Sequence, residues 1–587
     1  MRLGIIFLLL TLSVGIFACT IGVASGEATS SGRAMLWKTR DIASFPQNYL
    51  EWNDECAYGF LYVRDERDSL AWMGVNEKGF CIANSYVERE SNDRPIFNNG
   101  SLIYHLLGNC ATISDMDTIL DTLNISDQIL SGNFGVIDST GAAAMYEISW
   151  TEVEKYDAAE TDDGYIIRTN FSLISGGNEG IERYTRSHEI ISELAQQNML
   201  NAGNLMQNHF RDFSDEYSVG VDVPYYDRWL YNRPWGYIKT NDSICRGIAA
   251  SSALFEGVMP GEFARTTTMY TLLGNPATSV FLPYFPIGEP PHQATPETGM
   301  QLTFRANMIK SQLFNFPDNS YYVDSFNLLE PDSMRVFDII LPFDENMVTE
   351  TEEFVTSWRE GNATDTDAEV HSEIMVNDAM TTLFDLDQHI SRDMKAELEA
   401  NVYSGGYPLT VTFSNKTRHY ASEIYWDFNN DGVIDAINQE TPAWTYNSPG
   451  TYSVRLVVGN ANGSDELILE DLINVTNTST DELYLESVPQ LLGNFPNPLL
   501  LDEDRSHETE ILFYLPETKK KVKLTIYNQR GRKVISRIYS DTLSAGQHRW
   551  RWDGIDHKGK IVGSGVYIYQ LKVPGYKKCT RKLTILR

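Results

Sequence analysis

Features that mark whole classes of protein are missing from this chain. It has no CxxC pair and no Cys/His spacing suited to zinc or an iron–sulfur cluster. Its six cysteines (Cys19, Cys56, Cys81, Cys110, Cys245 and Cys579) are widely scattered. With Cys19 set aside for chemistry, the remaining five cannot all pair internally, and Cys81, Cys110 and Cys245 read as small buried thiols. His105 and His188 lack a second ligand at metal spacing and read as structural. Positive charge is short: 47 Lys and Arg stand against 80 Asp and Glu, a net charge of −33. That excludes a nucleic-acid binder, which needs a basic face, and disfavours a protein lying on anionic lipid. Long apolar runs are scarce too. The one largely apolar stretch, Leu3 to Phe17, is short for a bilayer span, and no second run approaches membrane length.

Arg2, the apolar stretch and the small Ala18 together read as an export leader, residues 1–18, cut before Cys19. A cysteine exposed in this way carries a thiol and a free α-amine on one residue, so nucleophile and base arrive together. Two other readings use the same residues. Ile16-Phe17-Ala18-Cys19 resembles a bacterial lipoprotein box, in which the cysteine is lipidated, although Phe17 is bulky for it. An ordinary export signal can also leave a cysteine without a role.

Size predicts several domains, and 42% hydrophobic residues fit folded material. The region from Cys19 to about Ala400 mixes strands and helices. Strands are predicted at 60–63 and 79–83, a hairpin at 134–138 and 143–148 around Ser139-Thr140-Gly141, and amphipathic helices at 185–199 and 368–400. The acidic, Thr-rich stretch 350–367 reads as an exposed loop. The alternation predicts a layered α+β body. Residues 402–475 carry only strand and turn signals, with Val454, Leu456 and Val458 on one face of a sandwich strand. A polar linker at 476–481 leads to a last region, 491–587, also rich in strand signal.

Trp426-Asp427-Phe428-Asn429-Asn430-Asp431-Gly432 and Gly450-Thr451-Tyr452 with the strand after it resemble the PKD family of immunoglobulin-like domains. Asp427, Asn429, Asp431 and Asp435 place oxygens at alternate positions of a glycine-containing loop, a weak calcium candidate and the one cofactor the sequence suggests. Gly493-Asn494-Phe495-Pro496-Asn497-Pro498, Leu524-Thr525-Ile526-Tyr527, Trp552-Asp553-Gly554 and Gly565-Val566-Tyr567-Ile568-Tyr569 resemble the C-terminal sorting domain of the type IX secretion system, with its FlgD-type immunoglobulin-like fold. The resemblance implies a bacterial protein exported across the outer membrane by that machinery, ending at the cell surface or in the medium.

After Cys19-Thr20 the chain reads strand, turn, strand and reaches Lys38-Thr39-Arg40-Asp41, a hairpin that folds this cluster back beside Cys19. The segment is similar to the start of penicillin acyltransferase-like and choloylglycine hydrolase-like enzymes, N-terminal cysteine hydrolases that cut or transfer linear amides. The resemblance implies a four-layer αββα sandwich over 19–400. It aligns Asp41 with the family aspartate, a partner for the α-amine, and puts Lys38 where bile-salt-type members keep an arginine, with Arg40 as the alternative carrier of that charge. Gly74-Val75-Asn76-Glu77-Lys78-Gly79-Phe80 resembles a family turn, with Asn84 following it at an offset that does not match. Arg168-Thr169-Asn170 resembles the segment supplying an oxyanion-hole asparagine, and Arg183 and Arg186 open the helix near another family arginine. Each has a structural alternative: a turn cap for Asn170, a strand-end hydrogen bond for Asn84, solvated helix positions for the two arginines, a salt bridge for Asp41. The implied enzyme acts on a small amide or peptide through an acyl-Cys19 intermediate and needs no cofactor. The alternatives are a dipeptidase of the same superfamily and a non-catalytic surface binding or adhesion protein with lipidated Cys19.

Overall fold

The computed structural model describes residues 19–586 apart from 43–47, 69, 88–97, 124–130, 150–151, 175, 215–235, 297–299, 315–320, 329–333, 387–388, 391–393, 418, 461–462, 477–487, 496–498, 502–507, 529–530 and 541. The leader and all but the first residue of the predicted linker therefore lie outside the described residues. No helix among the described residues is long and apolar enough to cross a membrane.

The N-terminal region opens with strands β1 (Cys19–Ala24) and β2 (Met35–Asp41). Seven consecutive strands follow: β3 (Asn48–Asn53), β4 (Phe60–Asp65), β5 (Met73–Asn76), β6 (Cys81–Tyr86), β7 (Gly132–Ile137), β8 (Ala143–Ile148) and β9 (Val153–Asp157). They form one antiparallel sheet in chain order. Next come β10 (Tyr165–Arg168), β11 (Tyr237–Lys239), β12 (Ala249–Glu256), β13 (Thr268–Leu273), β14 (Leu282–Tyr284) and β15 (Tyr322–Asp324). The second sheet has the order β10-β1-β2-β12-β13-β14, so the first two strands sit in its middle, while β11 and β15 pair separately.

The two sheets stack face to face, β1 and β2 packing on β6 and β7. Helix α1 (Asn99–Asn109) covers the outer face of the seven-stranded sheet, and α2 (Ile113–Thr122) shares its apolar cluster. On the other side α3 (Ile181–Gln196), α4 (Gln301–Leu313), α5 (Val336–Arg359) and α6 (Asp365–Leu386) pack on β10, β13 and β14. This is the four-layer αββα arrangement. Because both faces of this sheet are covered, β1 and β2 are buried from end to end, and β2 carries Lys38, Thr39, Arg40 and Asp41 inside along with its apolar residues. Gly22 is required here: it faces Trp37 across the ladder, and a Cβ on it would lie 2.1 Å from the indole.

The predicted hairpin and the strand at 60–63 are present, and 79–83 is realised as Cys81–Tyr86. The helix expected over 185–199 runs from Ile181 to Gln196. Two expectations are corrected. Residues 350–359 are the last three turns of α5 rather than a loop: Thr351, Val355 and Trp358, at helical spacing, are buried beneath the acidic residues. The helix expected over 368–400 ends at Leu386, and Leu398–Ala400 is a strand.

By packing, the chain divides into two compact units, one of residues to Glu397 with Asn415–Ile424 and Val457–Glu466, the other of Leu398–Ser414, Tyr425–Leu456 and Leu467–Arg587. The PKD-like segment forms a three-stranded and a five-stranded sheet, with Phe413, Trp426 and Phe428 stacked in its core. The C-terminal segment repeats this pattern around Phe513, Leu524, Ile526, Trp552 and Tyr569.

Candidate active site

The ladder pairs Cys19 with Arg40 and Ile21 with Lys38. Alternate residues of a strand share a face, so Cys19, Lys38 and Arg40 point towards the seven-stranded sheet while Thr20 and Asp41 point towards the helices. The bonds agree. Lys38 Nζ donates to Trp72 O at 2.8 Å and to Asn84 Oδ1 at 2.9 Å, whereas Arg183, from α3, donates to Thr20 Oγ1 at 3.2 Å.

The backbone of Cys19 is held at both ends. Its nitrogen donates to Asn170 Oδ1 at 2.9 Å, and its carbonyl accepts from Arg183 Nη1 at 2.9 Å. Arg183 Nη2 donates to the same Asn170 oxygen at 2.8 Å, so two donors fix that atom as oxygen rather than nitrogen. Arg183 reaches this position because Gly180, at φ 77°, precedes the helix; a Cβ there would lie 2.4 Å from Arg183 Nη2. Asn170 follows β10 on a segment anchored by the opposite sheet. Asn133 Nδ2 donates to Thr169 O at 3.1 Å and Phe171 O at 3.0 Å. Glu147 accepts from Arg168 Nε at 2.7 Å and from Ser172 Oγ and Leu173 N at 2.6 Å. Asn133 and Glu147 are cross-strand neighbours in β7 and β8, so one sheet positions the segment that grips the other.

Lys38 is buried, and burial lowers its ammonium to about 8, the Cys19 sulfur opposing that fall and the Arg40 guanidinium adding to it. It is therefore the cation beside the thiol. Asn84, whose oxygen accepts from Lys38, donates its amide N–H groups to nothing among the described residues. Asp41 sits beneath the site. Its Oδ2 lies 3.5 Å from Arg246 Nη1, and its buried Oδ1 has no hydrogen-bond partner. Burial raises the Asp41 pKa, with Arg246, Arg183 and Lys310 pulling it back. Lys310, also buried, donates to Ala249 O at 3.1 Å and is lowered by burial to about 7.

Three expectations are corrected. Arg40 is not a second free cation: it makes a buried two-pronged pair with Asp65 (2.8 and 2.6 Å), donates to Asn48 Oδ1 at 2.7 Å and lies over the Trp72 ring. Arg186 is off the buried face of α3, which carries Arg183, Ser187 and Ile190, and it pairs with Asp212 and Glu189 instead. Asn170 gives one N–H to Tyr86 O at 2.6 Å and its Oδ1 to Cys19, which leaves at most one N–H for an oxyanion. Asp41 does not bond the Cys19 nitrogen, a place that Asn170 takes.

The Asp427 loop spends its oxygens internally. Asp427 accepts from Asp431 N and Gly432 N, Asn429 from Asp431 N, Asp431 from Val433 N and Asp435 from Phe428 N. No three His, Cys, Asp or Glu side chains among the described residues converge as a metal centre.

Arg246, Lys310, Asn133 and Glu147 escaped the sequence reading. Only the last two left a trace, as polar residues inside the otherwise apolar strands β7 and β8.

Three segments match family models: residues 29–229 the acyl-coenzyme A:6-aminopenicillanic acid acyl-transferase family, 396–470 the PKD domain and 500–577 the FlgD Ig-like domain. The chain thus carries a penicillin acyltransferase-like domain followed by two immunoglobulin-like ones. The first match spans Lys38, Asp41, Asn84, Asn170 and Arg183 but begins ten residues after Cys19. A search of curated proteins finds no match. Among solved structures, the chain is similar to a penicillin V acylase from Agrobacterium tumefaciens (12% identity, 46% of this chain and 86% of that one, TM-score 0.27). It is also similar to a Caenorhabditis elegans N-acylethanolamine-hydrolyzing acid amidase ortholog (13% identity, 40% and 92%, TM-score 0.26). A third is a conjugated bile acid hydrolase from Clostridium perfringens (10% identity, 45% and 92%, TM-score 0.28).

Proposed function

We propose that the protein is an exported cysteine hydrolase that opens a linear amide, or transfers its acyl group, through an acyl-Cys19 intermediate. The observation that carries this is the grip on Cys19: nitrogen on Asn170, carbonyl on Arg183, and a buried ammonium on the sulfur side. A lipid anchor needs none of these. The match of residues 29–229 to an acyl-transferase family supports the same reading.

The chemistry follows from the groups. Removal of residues 1–18 turns the Cys19 nitrogen into an amine. Asn170 Oδ1 accepts one of its N–H groups and so turns the lone pair towards the thiol, whose proton it takes. Lys38, while protonated, stabilises the thiolate charge. Sulfur attacks the amide carbonyl, and the carbonyl oxygen becomes an oxyanion. Asn84, oriented by the Lys38 bond to its oxygen, is the donor for that oxyanion, worth about 3 kcal/mol if it acts like other single donors. The Cys19 ammonium returns its proton to the leaving amine. Water, or an acceptor amine in a transferase, then attacks the thioester and frees Cys19. Asp41, with one buried oxygen unpartnered, supports the positive charge that passes through the amine.

The leader and the two immunoglobulin-like modules support delivery to the cell surface or the medium through the outer-membrane secretion machinery. The test is a panel of acyl amides and dipeptides offered to the mature protein and to Cys19→Ala. The proposal expects at least one acyl amide to be turned over by the former only. Equal turnover by both contradicts it, and turnover confined to dipeptides moves it to the dipeptidase class.

A further inference from the structure

The chain's acidity is unevenly distributed. Residues 491–587 carry 19 Lys and Arg against 9 Asp and Glu, a net charge of +10, so the 490 residues before them carry −43. Four of these lysines share one surface. In the C-terminal module the strands Lys533–Tyr539, Val522–Asn528, Gly565–Lys572 and Cys579–Leu586 lie side by side in that order. Val522, Leu524, Ile526, Tyr569 and Leu571 are buried on the inner face, so Lys523, Tyr527, Ile568 and Lys572 lie on the outer one.

The register sets out that outer face in rows. Ile538, Lys523 and Lys572 are direct neighbours across three strands, and Lys533, Tyr527, Ile568 and Lys582 across four. Lys523 and Lys572 are thus like charges directly opposite, an arrangement that destabilises a sheet. None of Lys523, Lys533, Lys572 and Lys582 makes an ion pair among the described residues. Between them Ile538 is 59% and Ile568 37% exposed. Fixed cations without counter-charges, interleaved with exposed isoleucines and a tyrosine, form a surface complementary to anionic headgroups with acyl chains beneath them.

We propose that this outer sheet face docks the protein on an anionic lipid surface. The lysines supply attraction that fades within a Debye length, about 8 Å at physiological salt, so acidic residues farther away than that do not cancel it. The isoleucines supply apolar burial that a soluble polyanion cannot reward. The whole-chain charge, which disfavours a protein on anionic lipid, conceals this because it averages two regions of opposite sign. The proposal does not depend on the chemistry of Cys19.

The experiment is sedimentation of the full chain with vesicles of phosphatidylcholine alone and of phosphatidylcholine with 30% phosphatidylglycerol. Binding is expected only to the second, lost at 0.5 M salt and weakened at least tenfold in Lys523→Gln/Lys572→Gln/Lys582→Gln. Ile568→Ser, with charge unchanged, is expected to weaken it severalfold. The triple variant removes a like-charge pair from exposed positions, so its thermal midpoint is expected to be no lower than the parent's. Equal binding to the two vesicles, no binding to either (the outcome if the face serves an acidic protein), or full binding by the triple variant overturns the proposal. Unchanged binding by Ile568→Ser also overturns it, leaving only a non-specific polycation effect.

Discussion

The N-terminal domain and the C-terminal module use charge in opposite ways. In the former, Lys38, Arg40, Asp41 and Arg183 are almost wholly inside, and the three cations are each assigned to particular atoms. In the latter, Lys523, Lys572 and Lys582 stand on a sheet face and meet no counter-charge among the described residues. A buried charge is costly unless paired, so its partner reveals its role; an exposed charge costs little and acts only through its sum. The same distinction separates Arg40, spent on Asp65, from Lys38, which among the described residues bonds only Trp72 O and Asn84 and which the proposed mechanism sets beside the thiol.

The contrast is open to breaking at several points. The largest effect is expected at the nucleophile: Cys19→Ala should lower kcat/KM by a thousandfold or more, in keeping with loss of a covalent catalyst elsewhere, with the fold intact by circular dichroism. Next, Asp65→Asn strands the buried Arg40 guanidinium and should cost about 3–5 kcal/mol of stability in a denaturant titration. Asn84→Ala should then lower kcat about a hundredfold with KM little changed, the signature of a contact made only in the transition state.

Lys38 sharpens the comparison through pH. Its pKa falls from 10.5 to about 8 on folding, so between those values the unfolded chain binds more protons, and stability should rise with pH across that window. Activity should do the reverse, losing the ammonium's help as pH climbs through about 8. Lys38→Arg should carry that alkaline limb upwards, and Lys38→Met should abolish it. The smallest effect is expected outside: Glu510→Gln, which removes the half-buried partner of the exposed Arg551 and Arg549, should shift stability by under about 1 kcal/mol.

Domain order and architecture were legible because they rest on local pattern: alternation in Val454 to Val458, turn chemistry around Ser139-Thr140-Gly141, and the span from Cys19 to Asp41. The failures share one physical cause. Helical phase decided between Arg183 and Arg186, and three residues of sequence could not show that Gly180 lets only the first fold back. Depth decided between Lys38 and Arg40, which share a face but differ in partner because Asp65 lies under only one of them. Residues 350–359 looked like a loop because acidic and Thr residues hid the spacing of Thr351, Val355 and Trp358. Arg246 and Lys310 reach Asp41 from distant segments, and nothing local announces them.

The measurement that bears most directly on the central claim is the intact mass and N-terminal sequence of the exported protein, before and after mixing with a slowly turned-over acyl amide. The account predicts a mature chain beginning at unmodified Cys19, gaining one acyl mass on the peptide that Cys19 heads. A lipidated Cys19, a cut that removes it, or an acyl group mapped to another residue would contradict it.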